Sequence, residues 1–283
     1  MTGRHSRSRW DTVSGLLQAA RPHNGFACAL LAMVGYWHGG KEPLGTVACG
    51  LGAGVFLLTL AAHLVNDIRD FPADRINRPG RPLPSGRLAP GAARHGAVCC
   101  LVGGLGLGLL VLPAWWPWWL FWAVMGIGYS AVAKGRGWWA PLWAALVIAS
   151  VYLPGAAADG LRLHDVSIIL AVAYFIFFRE FIKNLEDAVG DRQVGYQSLA
   201  GGRCDNQRAL LLLAAPLLTG GGLLVVSQPV GSWGQISAAA FLACVLAALW
   251  CLPTSRWRRR HLAGSLLKGG AFCGLGLLVG FTG

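Results

Sequence analysis

The sequence predicts an all-α, polytopic membrane protein, and three observations carry that prediction. Of the 283 residues, 55% are hydrophobic and 13% are charged, whereas soluble domains carry about 25% charged residues. Apolar runs recur along the whole chain, close in length to the ~20 residues that a membrane helix needs. Nearly all Lys and Arg residues lie between alternate pairs of runs. We therefore predict a single membrane-embedded domain, residues 1–283, folded as a helix bundle around a central cavity.

About nine apolar runs are predicted to span the membrane. They cover residues 18–38, 44–66, 95–112, 116–133, 139–157, 165–184, 207–227, 232–252 and 263–281. Lys41 and Arg162 are the exceptions to a pattern that places the other Lys and Arg residues on one side. Positively charged loops stay in the cytoplasm, so we expect a multi-pass protein of the cell membrane with a cytoplasmic N-terminus. The same rule accounts for the net charge of +12, and no nucleic-acid partner is expected.

The first acidic motif follows the second apolar run and reads N-D-x-x-D-x-x-x-D over Asn66–Asp74. On an unbroken helix, Asp67, Asp70 and Asp74 share one face. Like charges on one face repel each other, so stability explains this pattern poorly. A hard cation such as Mg²⁺ would remove the repulsion, because it binds carboxylate oxygens and bridges to phosphate. Pro72 is expected to end or kink the helix, which makes the shared face approximate.

The second acidic motif, D-x-x-x-D at Asp187–Asp191, closes the sixth apolar run. Five polar side chains form one stripe on an otherwise apolar helix: Glu180, Lys183, Asn184, Asp187 and Asp191. The charge rule puts both acidic motifs on the cytoplasmic side. Ionisable residues at the membrane edge are costly and usually functional. The alternative is that these are solvated loop charges paired with the many nearby Arg residues.

Two facing carboxylate motifs could hold about two Mg²⁺ ions with a diphosphate between them. Metal ions and basic side chains neutralise the charge that builds on a leaving diphosphate. A helix bundle also offers an apolar groove for an isoprenoid tail, and aromatic rings in it can stabilise an allylic cation. The candidate rings are Tyr129, Tyr174, Phe175 and Phe178.

These motifs resemble those of the UbiA superfamily of intramembrane prenyltransferases. The resemblance covers essentially the whole chain. It depends on Asn66–Asp74, on R-P-L-P-S-G at Arg81–Gly86 and on Asp187–Asp191. Two weaker matches are R-P-H-N at Arg21–Asn24 and Y-S-x-x-x-K at Tyr129–Lys134. Both acidic motifs, in this order and topology, make the resemblance specific.

The resemblance implies Mg²⁺-dependent transfer of a prenyl group from a prenyl diphosphate to an aromatic or other lipophilic acceptor. Two Mg²⁺ ions would be held by Asn66, Asp67, Asp70, Asp74, Asp187 and Asp191. The implied catalytic residues are Asp67, Asp70, Asp187, Asp191 and Tyr129. The implied substrate-binding residues are Arg21, Asn24, Arg75, Arg78, Lys134, Lys183, Asn184 and Arg192. Asn184 stands where many relatives have Asp, which removes one carboxylate from the second motif.

The sequence is compared with three other functions. A membrane terpene cyclase of the same fold would convert a prenyl diphosphate intramolecularly. A cation transporter would hold its ion near the bilayer midplane, whereas these acidic residues lie at span ends. A phospholipid-type transferase would carry a D-G-x-x-A-R signature, which this sequence lacks.

Overall fold

The structure is a computed structural model that describes residues 9–129, 132, 139–157, 160–195, 232–251 and 257–280. Helices joined by turns make up these ranges, and no strand occurs within them. The all-α prediction is confirmed for this part of the chain. Lys134 and the predicted span 207–227 lie outside the described residues.

We number the helices of the described ranges in chain order. They are α1 (Arg9–Ala20), α2 (Pro22–His38), α3 (Thr46–Arg69), α4 (Phe71–Asn77), α5 (Pro90–Val111), α6 (Trp116–Gly128), α7 (Trp139–Ala149), α8 (Leu153–Ala156), α9 (Leu163–Gln193), α10 (Ser232–Cys251) and α11 (Trp257–Gly280). Short 3₁₀ turns, Pro113–Trp115 and Ser150–Tyr152, precede α6 and α8.

Within the described residues, each predicted span other than 207–227 overlaps helical structure, but 18–38 and 139–157 are not single helices. Residues 18–38 are divided at Arg21, where α1 ends and α2 begins. By length and composition, three stretches of the described chain could cross a membrane: Thr46–Arg69, Pro90–Val111 and Trp139–Ala156. The count of nine spans stays a prediction.

Helix α3 lies at the centre of the first half of the bundle and packs against α2 and α5. Its residues Leu51, Val55 and Leu58 are buried with Trp119 and Tyr152 in one core. A second core joins α9 to α10 and α11 through Phe178, Phe181 and other apolar side chains. Apolar residues on these helix faces thus pack against each other, and the polar faces are left for the interior site.

Glycine permits a close contact between α2 and the segment that contains the Ser150–Tyr152 turn and α8. A Cβ atom on Gly35 would lie 2.3 Å from the carbonyl oxygen of Tyr152. A Cβ atom on Gly155 would lie 2.1 Å from the backbone nitrogen of Tyr36. Small residues at such crossings are typical of membrane helix pairs. This contact fixes the fully buried Tyr152 against the end of α2.

Candidate functional site

The first acidic motif keeps a helical path through its proline. Helix α3 ends at Arg69, and Pro72 lies in the first turn of α4, where its missing N–H costs little. The backbone N–H of Asp70 donates to Asn66 at 2.8 Å, and that of Asp74 donates to Asp70 at 2.8 Å. The aspartates at positions 67, 70 and 74 are only 2%, 3% and 6% exposed. The predicted shared face is therefore present, and it points inward.

Guanidinium groups from two other segments bind this face. Arg21, between α1 and α2, donates to Oδ1 of Asp67. Arg81 Nη1 lies 2.5 Å from Oδ2 of Asp74 and 3.7 Å from Oδ1 of Asp67. Repulsion among the aspartates is thus already offset by arginine. A metal ion is not needed to explain their stability, contrary to the expectation from the sequence.

The remaining carboxylate of this face has an amide neighbour. Asn66 Nδ2 donates to Oδ2 of Asp70 at 2.7 Å. Both residues are buried, at 7% and 3% exposed. The amide therefore orients the carboxylate from one helical turn away.

The second acidic motif lies beside the first. Arg78 Nη2 is 2.7 Å from Oδ1 of Asp187, and Asn77 Nδ2 donates to the Asp187 backbone carbonyl at 2.8 Å. These contacts tie the end of α4 to α9. Asp191, one turn further along α9, is 6% exposed. The two motifs are thus adjacent, as the sequence predicts.

The R-P-L-P-S-G segment forms a turn that returns Arg81 to the aspartates. The N–H of Ser85 donates to the Arg81 carbonyl at 2.9 Å, and Gly86 takes a φ of +78°. Leu83 and Leu88 are buried and anchor the turn. Burial disfavours the charged guanidinium of Arg81, but the carboxylates beside it outweigh that effect and raise its pKa.

Burial acts on the pKa of Asp74 as well, and here it is the largest cause of the shift. Removal from solvent raises the pKa of its carboxyl, and Arg81 offsets part of that rise. Its neighbours Asp67 and Asp70 raise it further because like charges disfavour ionisation. The charge of Asp74 is therefore favoured by Arg81 and disfavoured by Asp67 and Asp70.

Arg21 has an unusual backbone. Its φ of 52° and ψ of 63° lie in the left-handed region, which costs a non-glycine residue roughly 1–2 kcal/mol. Such strain persists only where surrounding contacts impose it. The contact here is the ion pair with Asp67. The strained backbone between α1 and α2 thus places the Arg21 guanidinium on the acidic face.

A cavity of about 1370 Å³ opens from this cluster into the bundle. It exceeds the roughly 300–1,000 Å³ of ordinary small-molecule sites. Its polar end is lined by Arg21, Asn66, Asp67, Arg78 and Arg81. Its apolar wall includes Leu31, Trp122, Val147, Ile168, Val172 and Phe175. A ligand with an anionic head and a long apolar tail fits this division.

More polar side chains line the cavity on α2, α3 and α9. Glu180, 6% exposed, lies 3.0 Å from Arg179 and 3.4 Å from Lys183. Asn24 Nδ2 is 3.0 Å from Nε2 of His63. These groups lie along one side of the polar end.

Comparison with known proteins settles the family. Residues 26–273 match the model of the UbiA prenyltransferase family. The chain belongs to the UbiA prenyltransferase family. It is accordingly a membrane protein and an enzyme of the prenyltransferase class.

Two relatives of this UbiA family member are digeranylgeranylglyceryl phosphate synthases. It is 31% identical over 248 residues to digeranylgeranylglyceryl phosphate synthase of Methanoregula boonei, covering 86% of each chain. It is 28% identical over 278 residues to digeranylgeranylglyceryl phosphate synthase of Methanoculleus marisnigri, covering 95% of this chain and 98% of the relative. The similarity therefore runs nearly from end to end.

A solved structure shows the same fold. A UbiA homologue from Archaeoglobus fulgidus, bound to GPP and Mg²⁺, superposes with a TM-score of 0.64 at 16% identity. The match covers 91% of this chain and 98% of the homologue. The UbiA fold is therefore confirmed by structure as well as by sequence.

Most of the residues predicted for the site in this UbiA family member come together. Asn24, Arg21, Arg78, Lys183 and Tyr129 all line the cavity. Arg75 does not, because it is exposed and its guanidinium lies 5.6 Å from the Phe71 ring centroid. Asn184 is half-buried on α9. The side chain of Arg192, like Lys134, lies outside the described residues.

Several site residues were not predicted from the sequence. The sequence explains Arg81 equally well as a turn residue or a lipid-headgroup contact, yet its guanidinium binds two aspartates. Arg179, His63 and Lys268 also line the cavity. The position of Arg81 shortly after the acidic motif is a feature of the sequence from which it could have been predicted as a site residue. Nothing local marks Lys268, which reaches the cavity only through the packing of α11.

The donor set suits Mg²⁺, which prefers carboxylate oxygens. Among the described residues, the carboxylates of the two acidic motifs do not form a ready-made group of three within 4.8 Å, and arginines lie between them. Mg²⁺ usually binds through one or two carboxylates plus substrate phosphates. The arrangement therefore fits ions that arrive together with a diphosphate.

Proposed function

We propose that the enzyme transfers a prenyl group from an isoprenyl diphosphate to a lipophilic acceptor, with about two Mg²⁺ ions. The observation that carries this proposal is the pair of adjacent acidic motifs beside a large cavity, whose polar end is lined by Asn66 and Asp67 of the first motif. The metal ligands proposed are Asn66, Asp67, Asp70, Asp74, Asp187 and Asp191. When bound, Mg²⁺ would neutralise the diphosphate and the charge that develops on it.

The arginines are proposed to act as diphosphate ligands. Arg21, Arg78 and Arg81 each contact a carboxylate and also line the cavity. A guanidinium fork can bind a phosphate oxygen pair as readily as a carboxylate. A shift of these forks from carboxylate to diphosphate would free carboxylate oxygens. The residues therefore exchange partners without leaving a buried charge unpaired.

The residues that line the cavity are suited to the step in which the C–O bond breaks. As the C–O bond breaks, its electron pair leaves with the diphosphate and an allylic cation remains. Tyr129, Trp122 and Phe175 line the cavity, and an aromatic face near a cation contributes about 0.5–2 kcal/mol. The apolar wall excludes water that would otherwise trap the cation. The acceptor oxygen or carbon then attacks and loses a proton.

We further propose that the acceptor is a lipid with an anionic head. Lys268 and Arg179 line the cavity, and Lys268 lies within electrostatic range of Arg21, Arg78 and Lys183 as well. Among the described residues, no carboxylate pairs with Lys268. Such an excess of cations favours a second anionic group besides the diphosphate. The names of the two relatives, with glyceryl phosphate as the prenylated part, agree with this chemistry.

Product analysis tests the reaction. The purified enzyme is supplied with a series of prenyl diphosphates and Mg²⁺, with and without a glyceryl phosphate ether lipid, and the products are identified by mass spectrometry. We expect a prenylated lipid and Mg²⁺-dependent diphosphate release. A hydrocarbon or cyclic alcohol formed without acceptor would instead establish the membrane terpene cyclase.

A charge variant tests the acceptor head. Lys268→Met should raise the KM for a phosphate-headed acceptor about tenfold or more, the effect of losing one charge-assisted contact. The KM for the prenyl diphosphate should stay within about twofold of wild type. Arg94→Met, on the exposed side of α5, is the matched control. Equal KM values for Lys268→Met and the control would remove the anionic-head proposal and leave prenyl transfer standing.

A further inference from the structure

A second group of polar residues lies far from the acidic motifs. It contains His38, the last residue of α2, with Tyr152, His164 and Asp165, and we call it the distal cluster. Arg21 precedes α2, so 17 helical residues separate the two groups, or about 25 Å at 1.5 Å per residue. Along α9, Asp165 and Asp187 are further apart still. The distal cluster is therefore at the opposite end of the bundle.

The distal cluster is a connected chain of short contacts. Nδ1 of His38 lies 2.6 Å from the Tyr152 hydroxyl, which donates to Oδ1 of Asp165 at 2.8 Å. The backbone N–H of Arg162 donates to Oδ2 of Asp165 at 2.9 Å. His164 Nε2 lies 3.2 Å from Oδ1 of the same carboxylate. Asp165 is 1% exposed, so it is a buried carboxylate fixed by three neighbours.

This geometry indicates which ring nitrogen of a neutral His38 carries the proton. A carboxylate only accepts hydrogen bonds, so the Tyr152 hydroxyl gives its proton to Asp165 and must accept from His38 Nδ1. A neutral His38 then carries its lone pair on Nε2. That nitrogen is buried and makes no hydrogen bond to the described residues. The backbone of Leu278 on α11 also faces the His38 ring, but it does not meet the distance and angle of a hydrogen bond to Nε2.

We propose that the distal cluster binds a divalent transition metal ion of the zinc type. The ligands are the imidazoles of His38 and His164 and the carboxylate of Asp165, each of which has a possible donor atom within 4.8 Å of the other two. The unpaired Nε2 is the proposed donor of His38. The 3.2 Å between His164 Nε2 and Asp165 Oδ1 matches the edge of about 3.3 Å that ~2.0 Å bonds give in a tetrahedron. Two imidazoles and a carboxylate favour zinc over Mg²⁺.

The surroundings complete such a site. Tyr152 binds the second nitrogen of His38, as outer partners of metal-bound histidines do. The side chain of His164 is 49% exposed, so an ion can enter from outside the bundle. Three protein ligands leave a fourth position for water. The site would join the end of α2 to the start of α9 beside the far end of the cavity, which His38 and His164 line.

Metal counting tests the proposal. Metal-free enzyme in detergent is loaded with Zn²⁺ in the presence of excess Mg²⁺, which competes at the acidic motifs, and is then freed of unbound ion. We expect about one more zinc per chain in wild type than in His38→Ala or His164→Ala, by elemental mass spectrometry. His95→Ala, an exposed histidine on α5, is the matched control and should retain the ion. Equal zinc content in all four proteins would overturn the proposal.

A positioning variant distinguishes a built site from a pair of adjacent histidines. Tyr152→Phe keeps the ring but removes the hydroxyl that orients His38, and it should weaken Zn²⁺ affinity about 10–100-fold. Thermal denaturation without metal shows whether each variant is folded. Zn²⁺ should raise the denaturation temperature of wild type and of His95→Ala, because an ion that binds only the folded state stabilises it. Unchanged affinity in a folded Tyr152→Phe protein would rule out the proposed geometry.

Discussion

Asp67 is the residue on which the proposed active site depends most. It is 2% exposed and lies within ion-pair distance of both Arg21 and Arg81. Removing its charge would take away the ion-pair partner of Arg21 and would leave Arg81 paired with Asp74 alone. A change at this position therefore affects structure and chemistry together, and an isosteric variant is needed to separate them.

Asp67→Asn retains the shape of the side chain and removes its charge. We expect prenyl diphosphate turnover to fall about a hundredfold or more, the size of effect seen when a group that stabilises developing charge is lost. The rate of Mg²⁺-dependent diphosphate release in membranes measures it. Glu42→Gln, an exposed acid in the loop after α2, should release diphosphate at the wild-type rate. Wild-type turnover by Asp67→Asn would remove Asp67 from the proposed ligand set.

Arg21 allows backbone strain to be separated from charge. Arg21→Gly and Arg21→Ala both remove the guanidinium, so both should lose most activity. Gly tolerates the φ of 52° and Ala does not, so the Gly variant should be more stable by about 1 kcal/mol. Thermal denaturation in detergent compares the two. Equal stability would mean that residue 21 leaves the left-handed region once its ion pair is lost.

Helices α3, α4 and α9 position the residues of the acidic site. The acidic helix ends at Arg69, as Pro72 predicts, and α4 begins at Phe71. Backbone hydrogen bonds across the junction keep the aspartates on one face. Helix α9 is continuous from Leu163 to Gln193 and carries residues of both the acidic site and the distal cluster. The relative placement of the two groups therefore depends on where α9 lies relative to α2, which packs against α3 and α8.

Among the described glycines, Gly155 in the α2–α8 contact leaves the least room for a Cβ atom. Gly155→Ala would place a Cβ atom 2.1 Å from backbone, which neither helix can relieve by a side-chain movement. We expect a loss of about 1–3 kcal/mol, as for other overpacked sites, seen as a lower denaturation temperature. In Gly106→Ala on α5 the new Cβ meets nothing within 4 Å. That control should be neutral or more stable by up to about 1 kcal/mol, and a similar loss in both variants would contradict this explanation.

At the scale of the whole molecule, the acidic site and the distal cluster lie at opposite ends of one cavity. The charge distribution predicts that the acidic end faces the cytoplasm. In a background without the eight native cysteines, Lys41→Cys should react with an impermeant thiol reagent added outside intact cells. Arg87→Cys should react only after the cells are opened. The reverse pattern would invert the predicted orientation.

The sequence alone determined the fold class and the main polar groups. Apolar runs of membrane length predict helices because backbone groups in lipid must be paired within the helix. The spacing of Asp67, Asp70 and Asp74 predicts their common face because helical periodicity is local. Both inferences need only residues close together in the chain.

Tertiary structure alone decided which distant groups meet. Arg21 and Arg81 reach Asp67 from separate segments, Lys268 reaches the cavity from α11, and the distal cluster joins residues more than a hundred positions apart. No local pattern encodes such contacts, because they depend on helix crossings set by buried shape, such as the glycines between α2 and α8. Periodicity places a side chain on a face, and only packing decides what that face meets.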